Sequence, residues 1–299
     1  MKYSLDLDEP LPDEVRRIAS ARLSAALALL RSQPEGLDTA VHGARRHIKQ
    51  CRSLHRLVAS ALPGAGKAED ARLGRIGRRL SSMRDASALV EAANYLRHEA
   101  RATEDRSRME RLATRLEQRR NAAEQTHEAV AERLGSVIGA LDKALSVTRD
   151  LALPAARRKR AACLAHGWDR TGCKIREALE ATADGHDEAF HDLRKRIQDR
   201  WMQAGMLETL WPTAMIAIQR QAKYVSDLLG HAQDLTMLLE AVSGDDGLAG
   251  DAVEGKAIDE AIRRQRMDLR ERCRALARDL SDQSRPRDRA TIERLLLDR

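Results

Sequence analysis

His42 opens a segment in which Arg45, Arg46, Lys49, Arg52 and Arg56 follow, and no acidic residue occurs from Thr39 to Ala68. At 100° per residue these six side chains share a sector of about 120°. Ala44, Ile48, Cys51, Leu54 and Val58 fall on the opposite side. The segment therefore predicts a helix with one apolar face and one basic face about 21 Å long. No carboxylate at i,i+4 spacing neutralises the basic face. Arginine supplies a planar fork of donors that fits phosphate oxygens, and crowded like charges favour an anionic partner.

The next predicted helix continues the bias. Arg72, Arg75 and Arg79 form a stripe, joined by Arg78 and Arg84. From Thr39 to Arg84 there are 11 basic residues against Glu69 and Asp70, a net of +9. A second patch, Leu153–Arg176, includes Arg170, Lys174 and Arg176 and nets +6, although the whole chain carries only +7. The remainder is thus net acidic. No aromatic residue lies in Thr39–Arg84, and aromatic residues make up 2% of the chain. Single-stranded nucleic acid is usually held by stacking on aromatic rings. A polymer of phosphates has no bases to stack, so the pattern favours it over nucleic acid, which is expected to bind only nonspecifically.

The elements that position these residues read as helical throughout. Ala, Leu, Arg and Glu dominate, and apolar residues recur at helical spacing, as in LSAALALL and IERLLL. Helices are expected near 12–32, 38–61, 68–98, 104–148, 154–183, 187–210, 213–242, 254–284 and 287–297, with a loop over Ser243–Gly255. Sequence positions repeat at an offset of 149. His42 corresponds to His191, Arg45 to Arg194, Arg46 to Lys195, Ile48 to Ile197, Pro63 to Pro212, Leu80 to Leu229, Asp85 to Asp234 and Glu91 to Glu240. One register shared across two helices and a turn marks an internal duplication. The expected architecture is all-α, with two related four-helix halves at 1–150 and 151–299. Asp85 and Asp234 read as helix caps or as ion-pair partners that hold the halves together.

No segment is long and apolar enough to cross a bilayer, and the acidic N-terminus has no apolar signal core. Cys51, Cys163, Cys173 and Cys273 form no CxxC pair and match no zinc spacing, as expected for reduced thiols in the cytoplasm. Nothing in the sequence calls for a metal or a cofactor.

The segments VHGARRHIKQCRSLHRLV and LSSMRDASALV, with the weaker copies FHDLRKRIQDRWMQAGML and LLGHAQDLTMLL, resemble the CHAD family of histidine-containing α-helical domains. The resemblance implies two pseudo-symmetric four-helix bundles packed around a central basic groove or pore. It also implies a stand-alone binder of inorganic polyphosphate, not an enzyme, with polyphosphate granules in the cytoplasm as its place. His42, Arg45, Arg46, Lys49, Arg52 and Arg56 would line the groove from one half, and His191, Arg194 and Lys195 from the other. Arg75, Arg79 and Lys223 would come from the following helices, and Lys174 and Arg176 from the helix before His191. Gln198 replaces the equivalent of Lys49 and Trp201 that of Arg52, so the second half is expected to be less basic. The alternatives are a nonspecific nucleic-acid-binding or helical scaffold protein, and a metal-dependent polyphosphate or triphosphate hydrolase.

Overall fold

Apolar residues recurring every three or four positions pack as helices in the computed structural model, which describes residues 3–62, 64–122, 127–282 and 286–298. The order is α1 (Leu11–Ser32), α2 (Leu37–Leu57), α3 (Ala65–Ser81), α4 (Asp85–Glu99), α5 (Thr103–Ala122), α6 (His127–Arg149), α7 (Arg157–Ala181), α8 (Asp187–Met206), α9 (Pro212–Ser243), α10 (Asp246–Ala249), α11 (Ala252–Asp282) and α12 (Pro286–Asp298). Among the described residues there is no strand, so the fold is all-α. The predicted apolar face of α2 is buried as expected: Ala44, Ile48, Cys51, Leu54 and Val58 are at most 1% exposed. Pro63 lies outside the described residues, as do 283 and 284 at the end of the predicted helix 254–284.

Two closed circuits of helix packing result. In one, α1 packs on α2 and α6, and α3 packs on both α2 and α6. In the other, α7 packs on α8 and α11, and α9 packs on both α8 and α11. Helix α2 meets α7 and α8 across the two circuits. Each apolar cluster draws on both sides of position 150. Ile292 of α12, Leu164 and Trp168 of α7 and Met206 of α8 join the core of α1, α2, α3 and α6. Leu96 of α4 and Leu112 of α5 join the core of α7, α8, α9 and α11.

Three sequence expectations change. The single helix expected over 104–148 is described as α5 and α6, with 123–126 outside the described residues; α5 buries its apolar residues in the second cluster while α6 buries Leu134, Val137 and Leu141 in the first. Residues 68–98 break at Ser82–Arg84, where α3 belongs to the first cluster and α4 to the second. The loop 243–255 contains α10, whose N-cap Asp245 accepts a hydrogen bond from the Gly247 amide at 2.9 Å.

Candidate anion-binding site

Spacings of three and four place Arg45, Lys49, Arg52 and Arg56 in one stripe along α2, facing α3 and α8. A cavity of about 440 Å³ lies between these helices. Arg78 of α3 and His191, Arg194, Lys195 and Arg196 of α8 complete its charged wall. Eight Lys and Arg side chains thus face two carboxylates, Asp192 and Asp199, and no Trp, Tyr or Phe lines the space. On α3 the cavity side is Gly74, Gly77 and Ser81. These small residues let the arginines of α2 lie close: a Cβ at Gly74 would sit 3.2 Å from the Arg52 guanidinium carbon. Gly230 of α9 makes the same room for Arg194, whose Nη2 lies 3.0 Å from the corresponding Cβ position.

The basic face of α2 is less bare than its own sequence implies, because neighbouring helices supply acids. Arg52 Nε donates to Asp70 Oδ1 at 2.8 Å. Arg56 pairs with Asp70 at 3.1 Å and with Asp199 of α8 at 2.7 Å. Burial opposes the Arg56 charge, but Asp199 and Asp70 outweigh it and raise its pKa. Arg196 engages Asp192 at 3.1 Å. Arg45 is held by the Gly77 carbonyl at 3.0 Å and by the Ser81 hydroxyl.

The other cations are left facing one another. Lys49, Arg78 and Arg194 make no hydrogen bond or ion pair among the described residues, and the Arg194 Nε is buried without a hydrogen-bond partner. Burial, followed by Arg194 and Arg45, lowers the Lys49 pKa to about 7. Burial also lowers Arg45 and Arg194; Arg84 and Arg194 add to the effect at Arg45, while Asp234 and Asp227 oppose it at Arg194. His191, with Nδ1 buried and unpartnered, is lowered by burial and by Lys195 and Arg194. An anion in this space would favour the charged forms of Lys49 and His191 and offset the repulsion among the arginines.

The structure brings together seven of the residues expected from sequence: Arg45, Lys49, Arg52, Arg56, His191, Arg194 and Lys195. It sets the others apart. His42 lies outside the cavity, with Nδ1 2.8 Å from Arg84, which in turn pairs with Glu91 at 2.5 Å. Burial and Arg84 lower the His42 pKa. Arg46, Arg75 and Arg79 are exposed, and Arg79 donates to Ser136 of α6 at 3.2 Å. Arg176 is exposed beside Cys173, and Lys223 pairs with Asp227 at 2.6 Å above the Trp201 ring. Lys174 lines a neighbouring cavity of about 460 Å³, which shares Arg56, Arg196 and Asp199 with the first. Asp85 opens α4, while Asp234 lies inside α9 with its carboxyl opposite Arg194.

Sequence reasoning counted Arg78 in the basic run but not among the groove residues, and missed Arg196. The Gly74, Gly77, Ser81 stripe was a usable signal for Arg78, since small residues at helical spacing mark a close approach. Arg196 had none, because its counterpart 149 positions earlier is His47. A larger cavity, about 650 Å³, lies by the N-terminal segment; Asp6, Asp8, Glu9, Asp13 and Glu14 line it and make it unsuited to a polyanion. Among the described residues no three His, Cys, Asp or Glu are grouped to hold a metal ion, and no helix is long and apolar enough to cross a membrane.

The family model for the CHAD domain matches residues 17–243, a span that contains both cationic stripes. The chain belongs to the CHAD domain family. No curated protein matches it. Among solved structures, PptA from Streptomyces chartreusis is similar, with a TM-score of 0.56 and 17% identity over 92% of this chain and 99% of that one. At that identity the likeness concerns the fold. In this CHAD chain the match ends at the last residue of α9, so α11 and α12 complete the second circuit and the first core from beyond the matched span.

Proposed function

We propose that this CHAD chain binds inorganic polyphosphate non-covalently in the cavity between α2, α3 and α8. The observation that carries the reading is a wall of eight cations and two arginine-bound carboxylates with no Trp, Tyr or Phe. Repeated phosphates would bridge Lys49, Arg78 and Arg194, which make no hydrogen bond or ion pair among the described residues, through charge-assisted hydrogen bonds. Arg45, Arg52, Arg56, Lys195 and His191 complete the binding set.

The proposed architecture is two pseudo-symmetric four-helix bundles, at 1–150 and 151–299, around a central basic groove. The two packing circuits support it. So does the 149-residue offset, which carries α1 onto 160–181 beside α7 at Arg157–Ala181, and α2 onto 186–206 beside α8 at Asp187–Met206. The interaction of Arg45 with Asp85, matched by that of Arg194 with Asp234, follows the same offset.

The protein acts as a binding module, not a catalyst, because Asp199 and Asp192 are committed to Arg56 and Arg196. Its place is the cytoplasm, at polyphosphate granules. The test is calorimetric binding of long-chain polyphosphate against single-stranded DNA at equal phosphate concentration. Polyphosphate should bind at least about tenfold tighter. Equal affinity would return the reading to nonspecific nucleic-acid binding, and phosphate release with magnesium or manganese would return it to hydrolysis.

A further inference from the structure

The second cavity sits where α2 ends, α3 begins and α7 passes. Lys67, Arg170 and Lys174 line it and make no hydrogen bond or ion pair among the described residues. Its two carboxylates are already engaged: Asp70 by Arg52 and Arg56, and Asp199 by Arg56. The 17-residue helix α3 turns its N-terminus into this space at Gly64 and Gly66, and Gly64 adopts a φ of +80°. A helix N-terminus carries partial positive charge and favours an anion. The first turn of α3 supplies none; it has Lys67 and no acidic residue.

A second observation points independently to a ligand. His55 forms part of the cavity wall, is 1% exposed, and neither ring nitrogen has a hydrogen-bond partner. Two orphaned imidazole nitrogens beside a polar cavity are costly unless a ligand group meets them. Burial lowers the His55 pKa to about 4, so the ring is neutral and has one N–H donor and one acceptor.

We propose that this cavity holds the terminal phosphoryl group of a polyphosphate chain whose body lies in the adjoining α2–α3–α8 cavity. The inference rests on the polyphosphate reading above and adds recognition of a chain end. An internal phosphate carries one charge and two free oxygens. A terminal phosphate carries up to two charges and three free oxygens, the outermost able to keep a proton. Three unpaired cations, a helix N-terminus and a neutral imidazole suit the end better than the middle. The wall shared at Arg56 and Arg196 makes the two cavities adjacent. The chain has little room to continue toward α7. One turn from Thr171, a Cβ at Gly167 would lie 1.8 Å from the Leu57 carbonyl oxygen, so the α2 and α7 backbones are in contact there.

The experiment compares linear polyphosphate of one defined length, either free-ended or with both terminal phosphoryl groups capped as phosphoramidates, with pyrophosphate as a competitor. Free-ended chains should bind about tenfold tighter than capped ones. The Lys67→Ala/Lys174→Ala variant should lose that preference, its affinity for the free-ended chain falling to that for the capped one. The His55 imidazole resonances should move with the free-ended chain and not with the capped one. Equal affinity for the two chains, or a preference that survives in the double variant, overturns end recognition and leaves polyphosphate binding standing. Failure of both chains to bind overturns both readings. Pyrophosphate that binds more tightly than the free-ended chain assigns the cavity to a small free phosphate compound and also overturns the proposal.

Discussion

Lys49 lies among Arg45, Arg52 and Arg194, and its ammonium loses its proton near pH 7 because burial and these neighbours disfavour the charge. A phosphate beside it reverses the balance and raises its pKa. Between the free and the bound pKa, binding must take up a proton. The Lys49 contribution is therefore fully present below about pH 7 and weakens above it, by up to about tenfold per pH unit. Affinity for long-chain polyphosphate, measured from pH 7 to 9, should follow this slope, and Lys49→Arg should flatten it. A slope unchanged in Lys49→Arg would show that another group takes up the proton. Placement also separates neighbours in sequence. Arg45→Ala should cost about 1.5–3 kcal/mol of binding, because a charge-assisted contact is lost inside the cavity. Arg46→Ala, exposed outside it, should change affinity less than about twofold. Calorimetry on the two variants makes the comparison. The sequence placed both arginines in one 120° sector, but the cavity accepts only the side of that sector nearest α3 and α8.

Helices α2 and α7 approach closely at Gly167, where a Cβ would lie 1.8 Å from the Leu57 carbonyl oxygen. A side chain there must displace the Leu57 carbonyl, which is backbone and cannot swing away. Gly167→Ala should destabilise the fold by about 3 kcal/mol or more. Gly139, on the exposed side of α6, has nothing within 4 Å of its Cβ position and an ordinary helical backbone. Gly139→Ala should stabilise by about 0.5–1 kcal/mol through the unfolded chain. Thermal unfolding of both variants checks the pair, and similar shifts for the two would refute the close approach. Most helix boundaries were legible because apolar periodicity and prolines mark them; α1 begins at Pro10-Leu11-Pro12 and α9 at Pro212. The break inside 68–98 and the division of 104–148 between two cores were not. Continuous helical periodicity carries no record of which core each half of a segment will join.

For the whole molecule, the charge is polarised. A net of +9 over Thr39–Arg84 and +6 over Leu153–Arg176 sits in a chain of only +7. Such a molecule should bind a polyanion mainly by releasing counterions. Six or more phosphate contacts predict a loss of about 10³-fold in affinity between 50 and 200 mM salt. A titration of binding against salt concentration measures the slope, and a slope near zero would exclude the α2–α3–α8 cavity as the main contact. Removing Arg194 should lower the slope by about one contact.

The sequence by itself determined the all-α class, the 149-residue repeat, the apolar face of α2 and the location of the positive charge, because each is written in local spacing and composition. Tertiary structure alone decided which cations share a cavity, which are neutralised and which remain unpaired. Asp70 and Asp199 reach Arg52 and Arg56 from other helices, 14 to 143 residues away, and Gly74 and Gly230 open the space in which arginines gather. The distances that set these charges run between helices, and helical periodicity within one segment does not encode them.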